Sequence, residues 1–124
     1  MVIELNSKEP IYLQIISHMK KKIVSGGLKG GERILSVRDY ASELKVNPNT
    51  IQKVYSELES QGLIYTQRGI GKFVTEDEEK VTELRQELFN ETIDKFIKDS
   101  KALGFTKESI LEIISERYKE GENE

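Results

Sequence analysis

The stretch SVRDYASELKVNPNTIQKVYSELESQG, residues 36–62, decides the fold. Ser36 stands where a helix N-cap belongs, and Val37, Tyr40, Ala41 and Leu44 follow at offsets of three, four and seven. This spacing predicts a short amphipathic helix of about three turns that ends near Lys45. Asn47 then supplies a second N-cap, and Pro48 brings the fixed φ suited to a first helical position. Ile51, Val54, Tyr55 and Leu58 repeat the same offsets, and Gly62 can take the left-handed conformation that closes the helix 47–61. Two helices joined by a turn of a few residues, both apolar faces turned inward, make a helix-turn-helix.

The flanking residues extend the pattern. Upstream, Pro10 suits the first turn of a helix over residues 10–25, with Ile11, Ile15, Ile16, Met19 and Ile23 on one face. Gly26 and Gly27 stop it, residues 26–31 read as a loop, and residues 33–35 are expected to pair as a short strand. Downstream, Leu63-Ile64-Tyr65-Thr66 and Lys72-Phe73-Val74-Thr75 read as strands around the turn Gln67-Arg68-Gly69-Ile70-Gly71. A hairpin placed directly after a helix-turn-helix is a wing.

Beyond residue 75 the chain changes character. Glu76 to Glu79 suit a helix N-terminus, where the dipole favours negative charge. Val81, Leu84, Leu88, Phe89, Ile93, Phe96, Ile97 and Leu103 give a long helix with a broad apolar side; Gly104 fits its C′ position, with Phe105 placed to fold back. Thr106 caps a last helix carrying Ile110, Leu111, Ile113, Ile114 and Tyr118. Two helices cannot bury that much apolar surface against each other. Dimerisation through Leu84, Leu88, Phe89, Phe96, Ile110, Ile114 and Tyr118 is therefore expected. The fold class is mainly α (α+β): a winged helix-turn-helix over residues 1–75 and a helical dimerisation tail over residues 76–124.

Charge supports that division. The 124 residues carry a net charge of −3, but residues 1–75 hold 11 Lys/Arg against 7 Asp/Glu, and residues 76–124 hold 8 against 15. The basic part can meet phosphates, whereas the acidic part is repelled by them and should face away. With no cysteine there are no disulfides, thiolate metal sites or thiol nucleophiles. The start of the chain lacks the basic and apolar regions of a signal peptide, and no apolar run approaches a membrane span. A cytoplasmic protein without a membrane partner is expected. Gly69-Ile70-Gly71-Lys72 lacks the spacing of a phosphate-binding loop. His18, the only histidine, has no second histidine or cysteine with which to build a metal site or a nucleophile relay, and is expected at the surface. Neither a catalytic site nor a cofactor is expected.

Once its core positions are removed, the helix 47–61 presents Asn49, Thr50, Gln52, Lys53, Ser56 and Glu57. Asn and Gln can bond adenine in pairs, Lys can donate to guanine, and Thr can touch a thymine methyl or a phosphate. Recognition helices present such N-terminal residues to base edges in the major groove. A merely polar, solvated face is the alternative, and the helix-turn-helix and wing favour base contact. Arg38 can reach a phosphate near the start of its helix, or pair with Asp39 or Glu43 instead. Arg68, Gly69 and Lys72 suit a wing laid along a groove, although Lys72 can equally belong to a tight turn that happens to be basic. A winged helix serving as a protein-interaction module would show an apolar or acidic face here, and an RNA-binding one would lack a palindromic site.

Four segments together resemble the GntR family of bacterial repressors: Pro10-Ile11-Tyr12-Leu13-Gln14-Ile15, Gly31-Glu32-Arg33-Ile34-Leu35-Ser36-Val37-Arg38, Val46-Asn47-Pro48-Asn49-Thr50-Ile51, and Arg68-Gly69-Ile70-Gly71-Lys72-Phe73-Val74. The short helical tail looks like the YtrA subfamily. The resemblance implies a homodimer that represses transcription from an inverted-repeat operator in double-stranded DNA, often at genes of ABC transporters. It places contacts to DNA on Arg38, Asn47, Asn49, Thr50, Gln52 and Lys53, and on Arg68 and Gly69 of the wing. The family usually has proline where this chain has Gly30 and Leu35, which predicts a looser loop before the second helix. Gln52, often arginine in the family, alters base preference. A small-molecule effector would have room only in a small pocket at a dimer interface, beside Phe89, Phe96 and Tyr118; a plain hydrophobic interface is the simpler reading.

Overall fold

Asn47 starts the helix on which the fold turns: its Oδ1 accepts the Asn49 N–H at 2.8 Å, and Pro48 occupies the first helical turn. Ser36 does the same for the preceding helix, accepting the Asp39 N–H at 3.1 Å. The computed structural model describes residues 3–122, with elements α1 (Ile11–Ser25), α2 (Val37–Leu44), α3 (Pro48–Ser60), β1 (Ile64–Gln67), β2 (Gly71–Val74), α4 (Glu78–Ala102) and α5 (Lys107–Glu122). This is a winged helix-turn-helix followed by two helices. By packing, the chain divides into a unit Met1–Gln86 and a unit Glu87–Glu124.

The core belongs to the first unit. Ile15, Ile16, Met19 and Ile23 of α1 are buried with Ala41 of α2 and with Ile51, Val54, Tyr55 and Leu58 of α3, as the periodicity predicts. Leu63, Ile64 and Val74 bring the hairpin into it, and Ile34 and Leu84 are buried too. Tyr55, only 1% exposed, stacks on Tyr40 with ring centroids 6.2 Å apart and donates its hydroxyl to the Leu35 carbonyl at 2.8 Å. That bond satisfies the one polar atom of a large buried ring. Burial pushes the Tyr55 phenol far up. At the start of α4, Asp77 Oδ1 accepts the Glu79 and Lys80 N–H groups at 3.1 and 3.3 Å, and Arg85 Nη2 donates to the Val24 carbonyl at the end of α1 at 3.0 Å.

Several local expectations shift. Pro10 is the N-cap of α1 rather than a residue inside it, and its carbonyl accepts from Leu13 and Gln14. Both strands lie one residue from their expected positions: β1 starts later, and β2 starts and ends earlier. Their register pairs Ile64 with Val74 and Gln67 with Gly71. The expected strand at 33–35 is a single bridge between Arg33 and Phe73. Nor is the loop without proline unanchored. Gly31 donates to the Val74 carbonyl, Val74 to Glu32 and Ile34 to Lys72, each at 2.9 Å, and these bonds hold the approach to α2 against the wing. His18 is half-buried rather than at the surface, and desolvation, followed by the charge of Lys22, lowers its pKa.

Lys45 closes α2 in the left-handed conformation at φ 57° and is the one non-glycine residue at positive φ among those described. An L side chain there costs roughly 1–2 kcal/mol. Glycine would relieve that strain and give back roughly 0.4–1 kcal/mol through a freer unfolded chain. Lys45→Gly is therefore expected to raise stability by about 1 kcal/mol, measured by urea unfolding; an unchanged or lower midpoint would show that the turn carries no such strain.

The second unit is built differently. Gly104 ends α4 at φ 85°, with the Phe105 N–H bonded to the Ser100 carbonyl at 3.1 Å. Thr106 and Ser109 cap α5 reciprocally, each side-chain oxygen accepting the other's N–H at 3.2 and 3.1 Å. Among the described residues from Glu87 onward no apolar side chain is buried, whereas Phe89, Phe96, Ile97, Leu103, Phe105, Leu111, Ile113 and Tyr118 are exposed. No helix of the described residues is long and apolar enough to cross a membrane.

Candidate nucleic-acid interface

Burial of Ile51, Val54, Tyr55 and Leu58 fixes which side of α3 is left over. Asn49, Gln52, Lys53 and Ser56 recur at offsets of three, four and seven, so they form one exposed polar stripe along the helix. Thr50 is half-buried beside it. Gln52 Nε2 donates to Ser56 Oγ at 3.3 Å, a long bond that a base edge can displace, and Asn49 lies exposed in the first turn. Asn47 is exposed, but its carboxamide oxygen is committed to the cap.

The flanking cations divide into two kinds. Arg38, in the first turn of α2, and Arg68, at the hairpin tip, are exposed and form no ion pair among the described residues. The alternative pairing of Arg38 with Asp39 or Glu43 is thus not made. Lys72 is half-buried instead: its ammonium donates to Thr66 Oγ1 at 2.8 Å and lies 3.5 Å from Glu59 Oε2. Thr66 in turn donates to Glu59 Oε1. This cluster ties the wing to the end of α3 and partly neutralises Lys72. The hydrogen bond from Thr66, then the Lys72 charge, hold the Glu59 carboxyl below its ordinary range against some desolvation. A depressed carboxylate stabilises the fold above its unfolded pKa, and that contribution is lost as the pH falls through the folded value.

At the wing tip Gly69 adopts φ 77°, a conformation that disfavours side chains, although a Cβ there would meet open space. Gly71 differs: a Cβ would come within 2.8 Å of Arg33 Nε, so the guanidinium lies directly against the wing backbone and would have to move aside for a side chain.

Three interactions at this surface are not legible in the sequence. Lys53 Nζ sits 3.7 Å from the centre of the Tyr12 ring, placing α1 beside the polar stripe. Gln14 clasps the segment before α1: its Nε2 donates to the Asn6 and Glu9 carbonyls at 2.8 and 2.9 Å, and its Oε1 accepts the Asn6 N–H at 2.9 Å. The Glu59–Thr66–Lys72 cluster is the third. Each joins residues of different segments, and the sequence carries only the motif Pro10-Ile11-Tyr12-Leu13-Gln14 as a hint of the first two.

The residues expected to mediate assembly lie in different settings. Leu84 is buried within the first unit and has little surface left to offer. Leu88, Ile110 and Ile114 are half-buried, Phe96 is exposed, and Phe89 and Tyr118 are 57% and 72% exposed.

Residues 11–74 match the family described as bacterial regulatory proteins, gntR family. Among curated proteins, the chain is 45% identical over 111 residues to the uncharacterized HTH-type transcriptional regulator YhcF of Bacillus subtilis, covering 90% of this chain and 92% of the relative. It is 36% identical over 115 residues to the HTH-type transcriptional repressor YtrA of the same organism, covering 92% and 88%. Among solved structures, a GntR family transcriptional regulator from Listeria monocytogenes superposes with a TM-score of 0.84 at 38% identity, over 90% of this chain and 98% of the other. The DNA-binding domain of AraR in complex with operator ORX1 matches with a TM-score of 0.52 at 27% identity, over 60% and 93%.

Proposed function

Since the chain belongs to the gntR family of bacterial regulatory proteins, which are DNA-binding transcriptional regulators and not enzymes, we propose that it is a homodimeric repressor that reads an inverted-repeat operator with α3. One observation carries this reading: the exposed stripe Asn49–Gln52–Lys53–Ser56, together with the exposed cations Arg38 and Arg68, which form no ion pair among the described residues. In this reading Asn49, Gln52 and Lys53 meet base edges, while Thr50, Asn47, Arg38, Arg68 and Gly69 meet the backbone. Lys72 serves mainly to brace the wing. DNA binding is assigned to residues 1–75 and assembly to residues 76–124, whose exposed apolar side chains a second copy would cover. The repressor name of the YtrA relative and the operator complex of AraR support the reading. Control of ABC transporter genes from within the cytoplasm fits the same picture. The exposed rings Phe89, Phe96 and Tyr118 are where a small effector would bind once two chains meet.

Titration of the chain with duplexes from the region upstream of its own operon tests this directly. Affinity is expected to fall steeply with salt, as phosphate-bound cations require. Arg38→Ala is expected to weaken binding to all sequences alike. Gln52→Ala is expected to relax preference at one base position by roughly 1–3 kcal/mol, measured across a panel of operator variants. A Gln52→Ala profile indistinguishable from wild type would remove Gln52 from the base-reading set.

A further inference from the structure

We infer that Tyr12, on the first turn of α1, is a positioning residue for DNA recognition: its ring holds the Lys53 ammonium in place on the reading face of α3. The inference rests on the proposed reading of Lys53 as a DNA contact. Within the stripe, Asn49 and Ser56 have short side chains and Gln52 is bonded to Ser56, whereas Lys53 carries its charge on a flexible four-carbon stem. Nothing on α3 constrains such a stem, and a freely rotating ammonium must lose that freedom on meeting a base or phosphate.

The structure supplies the constraint from another helix. Lys53 Nζ lies 3.7 Å from the Tyr12 ring centre, within the range of strong cation–π attraction. Tyr12 is half-buried while Lys53 is exposed, so the ring is fixed and the ammonium is not walled off. Lys has three N–H donors. Resting on a ring face leaves outward donors free, so Lys53 can bond DNA without leaving Tyr12. The ring therefore orders the side chain before binding instead of competing for it. Gln14, two residues along, ties α1 to the preceding segment through Asn6 and Glu9 and holds this turn in position.

The test uses the full chain with Tyr12→Phe, Tyr12→Leu, Lys53→Met and the Tyr12→Leu/Lys53→Met double variant, each checked for an intact thermal transition. Tyr12→Phe keeps the ring and is expected to bind operator within twofold of wild type. Tyr12→Leu is expected to weaken binding by about two- to tenfold, the cost of immobilising one long side chain that the ring no longer holds. In the Lys53→Met background the Tyr12→Leu change is expected to have no further effect. In the free protein, the Lys53 Hε resonances should be shifted upfield by the ring in wild type and Tyr12→Phe, and not in Tyr12→Leu. Equal losses from Tyr12→Leu with and without Lys53 would overturn the inference, as would a Tyr12→Phe loss as large as that of Tyr12→Leu, which would implicate the hydroxyl. If wild type binds operator but Lys53→Met is silent, this inference alone fails; if wild type binds no duplex, the functional reading fails with it.

Discussion

Replacing Phe89 and Phe96 together by glutamate is expected to yield a monomer that binds a two-half-site operator at least a hundredfold more weakly. The two rings lie seven residues apart on α4, hence on one face, and both are exposed in the single chain. Their exchange therefore removes no core. Fully burying a large apolar side chain is worth roughly 1.5–3 kcal/mol, and rings already about half covered have roughly 1 kcal/mol each still to gain from a partner. Glutamate forfeits that gain and would set like charges together across the proposed two-fold interface. Once the copies separate, the second half-site no longer benefits from a high effective concentration, which for linked modules is worth roughly 10²–10⁴ in affinity. Sedimentation velocity and titration of one- and two-half-site duplexes check this. Half-site affinity should hold within a few-fold, because the rings lie outside the unit that carries α3. A variant that remains dimeric, or a monomer with undiminished operator affinity, would remove this face from the assembly.

Tyr55→Ala is expected to cost about 3–5 kcal/mol, the range for truncating a large buried aromatic. Its ring is the largest fully buried side chain, it stacks on Tyr40, and its hydroxyl pins the Leu35 carbonyl immediately before the Ser36 cap of α2. Against a total stability of roughly 5–15 kcal/mol for a small domain, this loss brings the unit close to unfolding. Tyr55→Phe keeps the packing and leaves the carbonyl short of a donor, so it should cost only about 1 kcal/mol. Urea denaturation of both variants separates the two terms. Similar midpoints for Tyr55→Ala and wild type would mean that the core does not depend on α3 in the way its burial implies.

The helices were legible because capping and periodicity act over short distances. Asn47, Pro48 and the spacing of Ile51, Val54, Tyr55 and Leu58 specify where α3 starts and which side it buries, with no need of the rest of the chain. The left-handed turn at Lys45 was not, because glycine is the usual sign of that conformation and lysine hides it. The strands shifted by one residue because the register is set by pairing and by the backbone bonds of residues 31–34, not by the alternation within four-residue segments. The sequence groups Leu84 with the tail because periodicity marks the apolar side of a helix but not which neighbour covers it. In the 25-residue α4, the first turns pack with the N-terminal unit while Phe89 and Phe96 stay exposed. The polar stripe was legible as the complement of the core face. The contact of Lys53 with Tyr12 and the bracing of the wing by Glu59, Thr66 and Lys72 join segments far apart in sequence, and no local rule announces them.

Selection of binding sites from a randomised duplex pool by the full chain, with Gln52→Ala in parallel, tests most directly whether α3 reads DNA as one of a symmetric pair. The expected outcome is a two-fold symmetric site whose half-sites are separated by about one helical turn, roughly 34–36 Å, or a multiple of it. The substitution should relax the same position in both halves. An asymmetric site, no enriched sequence, or a motif left unchanged by substitutions at Asn49, Gln52 and Lys53 alike would contradict it.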